Sequence, residues 1–237
     1  MKRIDVIASA KCVDEGITGT VPVVIDVLRA TSVMVTAFEH GAERIIPVLT
    51  PEEAFAVKDK MREDVLLGGE RGAEKIPGFD LDNSPFSYMD GAVKGKTIVM
   101  TTTNGTSAIK AASHAGDVLI ASFLNAKAVA EKLKDAERIS LVCSGTDGNY
   151  TLEDGLSAGY LIDLIKKGDD VELTDLAHLV HSFYLVSEND LQKAASAAKH
   201  YKVLRSKGFG RDLDYCFSTD ESNIVPVYSA GGIKKQA

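Results

Sequence analysis

Short runs of β-branched and aliphatic residues recur along this chain, and the stretches between them carry apolar residues at helical spacing. No other feature constrains the fold as much, because strands joined through helices pair in parallel and must be covered on both faces. The pattern predicts an α/β protein, a compact layered α/β/α fold around a mixed sheet. Val21 to Leu28 is its sharpest instance, apolar but for Pro22 and Asp26. A covered strand offers a carboxylate no water, so Asp26 requires a partner or a function.

Further strands are expected at Ile4 to Ala8, Arg44 to Leu49, Val65 to Gly68, Thr97 to Thr101, Val118 to Ser122 and Ile139 to Cys143. Helices fall between them. Thr31 or Ser32 is placed to cap one that Gly41 stops, and Thr50, Pro51 and Glu53 form a cap, a first-turn proline and a capping-box acid for another. Helical segments also follow TTNGT and run from about Asn125 to Lys134. The long segment from GGERG through Met89 is irregular, and its Ile76, Phe79, Leu81 and Phe86 mark it as an ordered loop. After Thr151 three helical segments follow without a strand until Tyr215, and the last strands are expected at Leu213 to Phe217 and Ile224 to Tyr228. Neither a repeat nor a Ser/Gly linker divides the chain, so residues 1–237 are expected to form one domain, the helices from about 151 to 207 adding a layer or cap.

With 45% hydrophobic residues among 237, the chain has ample material for a core. Its formal charge of −7 argues against nucleic acid or an anionic membrane as partner. Cys12, Cys143 and Cys216 lack the spacing of a disulfide framework or a zinc site. The N-terminal run is broken by Asp5 and has no signal-peptide core, which points to a cytoplasmic protein. A homodimer is the common state for a chain of this size.

Ligands of open α/β sheets collect at the carboxyl ends of strands, and four polar clusters stand at such ends. In the first, Asp26 is followed by Arg29, Thr31 and Ser32, a carboxylate beside an anion-binding turn; the plainer reading pairs Asp26 with Arg29 and makes Thr31 a cap. Glu70 and Arg71 inside GGERG form the second, or else a surface ion pair. The third is TTTNGT, Thr101 to Thr106, with Thr103, Asn104 and Gly105 suited to oxyanions, although no Walker A pattern is present and Thr103 or Asn104 equally suits an N-cap. Cys143, Ser144, Gly145 and Asp147, then Glu153 and Asp154, make the fourth, in which Thr151 and Asp154 also fit a capping box. Asp26, Glu70 and Glu153 together are what a hard divalent cation such as magnesium uses.

Two nucleophile motifs fail. A cysteine phosphatase needs an arginine six residues after Cys143, where Asn149 stands, and a phosphoaspartate enzyme needs a second Asp two after Asp26, where Leu28 stands. Cys143 therefore reads first as a small buried residue. His40, His114, His178, His181 and His200 lie in or beside helices, with no motif to recruit them, and are assigned no role.

IDVLRATS, GGERG followed by GFDLDNSP, TTTNGT, CSGTDG, LEDGLSAG and the ending GFGRDLDYCFSTD with NIVPV, in this order, resemble the 2-phosphosulfolactate phosphatase family over nearly the whole chain. The resemblance implies a fold distinct from the common phosphatase folds. It also implies a magnesium-dependent hydrolase that converts (R)-2-phospho-3-sulfolactate to 3-sulfolactate and phosphate, a step in coenzyme M biosynthesis. At matching positions it assigns Asp26, Glu70, Glu153 and Asp154 to the metal, and Arg29, Arg71, Thr103 and Asn104 to the anionic substrate. Asn83, Ser32 or Arg29 would meet its sulfonate and carboxylate, and Asp26 or Glu153 would take a proton from the attacking water, with a phosphoenzyme on Asp26 as the other route. Another phosphorylated hydroxy acid, a different phosphotransfer or lyase reaction, and a non-catalytic binder of anionic metabolites are the alternatives.

Overall fold

Residues of the central strands alternate between two apolar layers, which is why the short β-branched runs settle as strands. The computed structural model describes residues 1–61 and 64–235, and among these eleven strands form one sheet. In chain order they are β1 (Lys2–Ile7), β2 (Val21–Ile25), β3 (Arg44–Pro47), β4 (Val65–Arg71), β5 (Glu74–Lys75), β6 (Thr97–Thr101), β7 (Val118–Ala121), β8 (Arg138–Cys143), β9 (Val171–Leu173), β10 (Pro226–Ser229) and β11 (Gly232–Lys235). The α-helices are α1 (Ala30–Glu39), α2 (Pro51–Lys60), α3 (Gly105–Ala112), α4 (Ala126–Lys132), α5 (Leu152–Lys166), α6 (Asp175–Ser187), α7 (Leu191–Ala195), α8 (Lys199–Ser206) and α9 (Gly210–Cys216). Among the described residues no helix is long and apolar enough to cross a membrane.

Two parallel blocks, β4–β6–β3 and β7–β2–β8–β1–β9, are joined by the antiparallel hairpin β10–β11, and β5 adds an antiparallel edge. Three antiparallel pairings stand between β3 and β7, so the blocks run in opposite senses. The carboxyl ends of β2 and β6 would then lie on opposite edges of a flat sheet. Sheet twist of about 20–25° per step accumulates over the strands between them and turns the two ends towards each other. Helix α3 contacts β3 in one block and β2 and β8 in the other, which fixes the two together.

Val23 and Ile25 of β2 face a cluster shared with α4, α5, α6, α8 and α9, whereas Val24 faces a cluster with α1 and α3. Helix α2 covers β4 and β6 through Ala54 and Val57. The layered α/β/α architecture expected from the sequence is therefore present. Its clearest helix start holds too: Glu53 N–H donates to Thr50 Oγ1 (3.1 Å), and the Glu53 carboxylate accepts from Leu49 N–H (2.8 Å).

Some expectations are overturned. Leu213 to Phe217 is not a strand but lies in and just after α9, because Leu213 and Cys216 bury at helical spacing against the core. Thr31 and Ser32 sit inside α1 rather than capping it. The stretch after Thr151 holds four helices before α9, not three, and a strand, β9, whose three residues are too few to show alternation. Strand β11 is an addition: Ala230 and Gly231 both take positive φ (47° and 84°), the primed-turn geometry of a tight hairpin, without the Asn-Gly that usually announces one.

Candidate active site

The turn after β2 is a closed hydrogen-bonded loop. Thr31 Oγ1 accepts from Asp26 N–H (2.9 Å) and donates to Asp26 C=O (2.8 Å), and Ser32 Oγ donates to Val27 C=O (2.9 Å). Both hydroxyls are thus consumed in shaping the turn and neither reaches a ligand space, contrary to the expectation that they bind substrate. The Leu28–Arg29 peptide is cis. Asp26 Oδ1 accepts from Ala30 N–H (3.1 Å), while a Cβ on Gly105 would stand 2.7 Å from Asp26 Oδ2. Only glycine allows the first turn of α3 to come this close to the carboxylate.

Asp26 opens onto a cavity of about 180 Å³, also lined by Arg29, Glu70, Ala73, Asn83, Thr102, Thr103 and Asn104 from strand-end loops, by Thr146 and Asp147, and by Lys199, His200 and Val203 of α8. Glu70 is pinned: Oε1 accepts from Thr103 N–H (2.7 Å) and Oε2 from Ala73 N–H (2.8 Å). Arg29 is 2% exposed, donates from Nη1 to Asp212 (2.5 Å) and from Nη2 to Ala73 C=O (3.2 Å), and stacks on Phe209. Its Nε has no hydrogen-bond partner, nor does Asn83 Oδ1. Asp212 is held by Ser84 Oγ–H (2.9 Å).

Arg71, Cys143, Ser144, Glu153 and Asp154 lie outside the cavity lining. Arg71 turns away and donates to Glu70 C=O, Leu49 C=O and Thr101 Oγ1. Asp154 accepts from Val27 N–H (3.0 Å), Ser144 Oγ–H and Gly145 N–H (both 3.1 Å), tying the turn after β2 to that after β8. Thr151 occupies the N-cap of α5 without a side-chain capping bond, so the capping-box reading of Asp154 fails. Asn104 likewise sits at the N-cap of α3 uncommitted, and the first turn is closed by Thr102 Oγ1, which accepts from Thr106 N–H (3.2 Å). Glu153 is buried beside this group, with Oε2 unpartnered.

These acids raise one another's proton affinity. Asp26 is pushed up to about 7 by burial and then by Asp154, and Glu153 to about 8 by burial and then by Asp154. Cys143 is buried, and desolvation with Asp154 and Glu153 drives its thiol well above the ordinary range, which disfavours the thiolate. Burial lowers His200 against the opposing pull of Glu70.

Among the described residues, no three His, Cys, Asp or Glu side chains are spaced to hold a metal ion by themselves. The four-acid ligand set expected from the sequence is thus not assembled. The lining nevertheless suits a hard cation that keeps water and phosphate oxygens in its shell. Asp26 and Glu70 are oxygen donors facing one space, and Arg29, the buried cation beside them, is paired with Asp212 rather than with either of them.

A family model for 2-phosphosulpholactate phosphatase matches residues 8–231. The chain belongs to that family. It is 44% identical over 236 residues to a probable 2-phosphosulfolactate phosphatase of Clostridium novyi (strain NT), covering 98% of this chain and 100% of the relative. A protein of the same name from Caldicellulosiruptor saccharolyticus is 47% identical over 219 residues, 90% of each chain. The family motifs converge in space: IDVLRATS, GGERG, DNSP, TTTNGT and CSGTDG each supply cavity residues, while LEDGLSAG supplies Asp154 behind them.

Sequence reasoning missed Asp212, Ala73, Lys199 and His200, whereas Thr102 falls within the TTTNGT cluster it singled out. Ala73 acts through its backbone, and His200 reaches the cavity only because α8 packs over the strand ends, so neither carries a local signal. Asp212 was hidden by reading the following residues as strand.

Proposed function

We propose that this chain hydrolyses the phosphate ester of 2-phospho-3-sulfolactate, with a magnesium ion, at the cavity between Asp26, Glu70 and Arg29. The observation that carries the reading is the pairing of two carboxylates with an anion-binding turn in a space of about 180 Å³, below the roughly 300–1,000 Å³ typical of drug-sized ligands and suited to a small phosphorylated acid. The relatives named as phosphatases of that substrate support the choice. Two carboxylates would repel a phosphate dianion unless a cation joined them.

Asp26 and Glu70 would hold the ion, which supplies charge neutralisation and polarisation of a phosphoryl oxygen. The protein's own part is positioning. Glu70 is fixed by two backbone N–H groups, and the Thr102–Asn104 turn presents its hydroxyls and the start of α3 to the phosphate. Arg29 contributes fixed positive charge, its orientation set by Asp212 and Phe209. Asp26, which opens onto the cavity, is the group that accepts the proton of the attacking water. Asp154 stands behind it and ties the turn after β2 to that after β8, with Glu153 buried alongside. The product would feed a route to coenzyme M, as the family resemblance implies.

The test is phosphate release from a panel of phosphorylated hydroxy acids, with magnesium and with EDTA. Turnover of 2-phospho-3-sulfolactate should vanish on chelation, and Asp26→Asn should lower kcat/KM by about 10³-fold or more at saturating magnesium. Full activity of that variant would remove Asp26 from the mechanism, and preference for another ester would reassign the substrate.

A further inference from the structure

The wall that α8 contributes to the cavity is not needed to hold phosphate or metal, yet it is chemically specific. Helix α8 begins at Lys199 without a side-chain cap on Ala198, so its first N–H groups are free of capping partners. Lys199 and His200, in that same turn, line the cavity. The buried Arg29, which lines it too, keeps an unpartnered Nε. A buried charged donor without an acceptor is costly unless a ligand completes it.

We propose that the first turn of α8, with Lys199 and the Nε edge of Arg29, binds the sulfonate of the substrate and so selects which phosphate esters are hydrolysed. The proposal rests on the phosphatase reading and adds to it the group that the reaction leaves untouched. A planar carboxylate pairs best with a guanidinium fork, but the fork of Arg29 is already engaged by Asp212 and Ala73. A tetrahedral sulfonate has three oxygens that helix N–H groups, an ammonium and a single guanidinium N–H can meet from three sides. Lys199 is 77% exposed and paired with the 60% exposed Asp147, and an exposed ion pair is held weakly enough to be exchanged for a substrate anion.

The experiment compares 2-phospho-3-sulfolactate with 2-phospholactate, which lacks the sulfonate, and titrates the unphosphorylated product 3-sulfolactate by calorimetry. The ratio of kcat/KM between the two esters should fall about tenfold in Lys199→Ala and further in Lys199→Glu, and 3-sulfolactate should bind about tenfold more weakly to Lys199→Ala. Since Lys199 is exposed on a helix surface, both variants fold. An unchanged ratio, or equal losses on both esters, overturns the proposal. If the wild-type protein cleaves neither ester, the phosphatase reading fails separately, and the 3-sulfolactate titration alone then decides: binding weakened in Lys199→Ala upholds the α8 site, and equal or absent binding rejects it.

Discussion

The carboxyl ends of β2 and β4 look alike in the sequence, each an apolar run followed by an acid and an arginine, and the structure uses them in opposite ways. In the first, Arg29 is clamped by Asp212 and Ala73 and borders the cavity. In the second, Glu70 borders it while Arg71 folds back to fasten Leu49, Thr101 and its own strand end. The lesson is that the partners available around a guanidinium, rather than its neighbour in the chain, decide whether it serves a ligand or the backbone.

Arg29→Lys should separate the two turns most strongly. A lysine has no planar fork to reach Asp212 and Ala73 from two separate nitrogens, so initial rates of phosphate release should fall about a hundredfold. Asp212→Asn tests the clamp instead of the charge. Removing one partner of a buried ion pair costs about 3–5 kcal/mol, to be read from denaturant unfolding, and a loss below about 1 kcal/mol would show that Arg29 is not held this way. Arg71→Ala should cost about 1–2 kcal/mol of stability and less than tenfold in kcat/KM. An activity loss matching that of Arg29→Lys would erase the distinction between the turns.

The smallest effect expected is one of pH. Asp26 (about 7) and Glu153 (about 8) lie above their ordinary values of 3.8 and 4.5, mainly through burial. Folded protein keeps these protons where the unfolded chain has released them, so their stabilising contribution is complete below about pH 4 and is lost as pH rises through 7 to 8. In metal-free protein, Tm should fall between about pH 5 and 8, and Glu153→Gln should flatten the upper part of that fall. A Tm that rises over this range would contradict the burial of these acids.

How much of this was legible depended on whether chemistry and position coincide. Asp26 stands directly after β2 and Glu70 at the end of β4, where a carboxylate is anomalous, and both line the cavity. Thr31, Ser32 and Ser144 carry the right groups at the right strand ends, but their hydrogen bonds run to the backbone or to Asp154, which no spacing reveals. The alternating strands announced the layers, whereas the opposed sense of the two blocks follows from a hairpin whose turn residues, Ala230 and Gly231, are unremarkable in composition. Asp212 and His200 join the site through packing across the molecule, so only the folded chain exposes their part.

That hairpin has a consequence for assembly on the ribosome. Strands β10 and β11 are synthesised after the other nine, yet they occupy the middle of the sheet and are the only rungs linking one block to the other among the described residues. Each block can form early, and α3 can touch both, but the sheet itself stays unzipped until residues 226–235 emerge, which leaves two open edges exposed in the meantime.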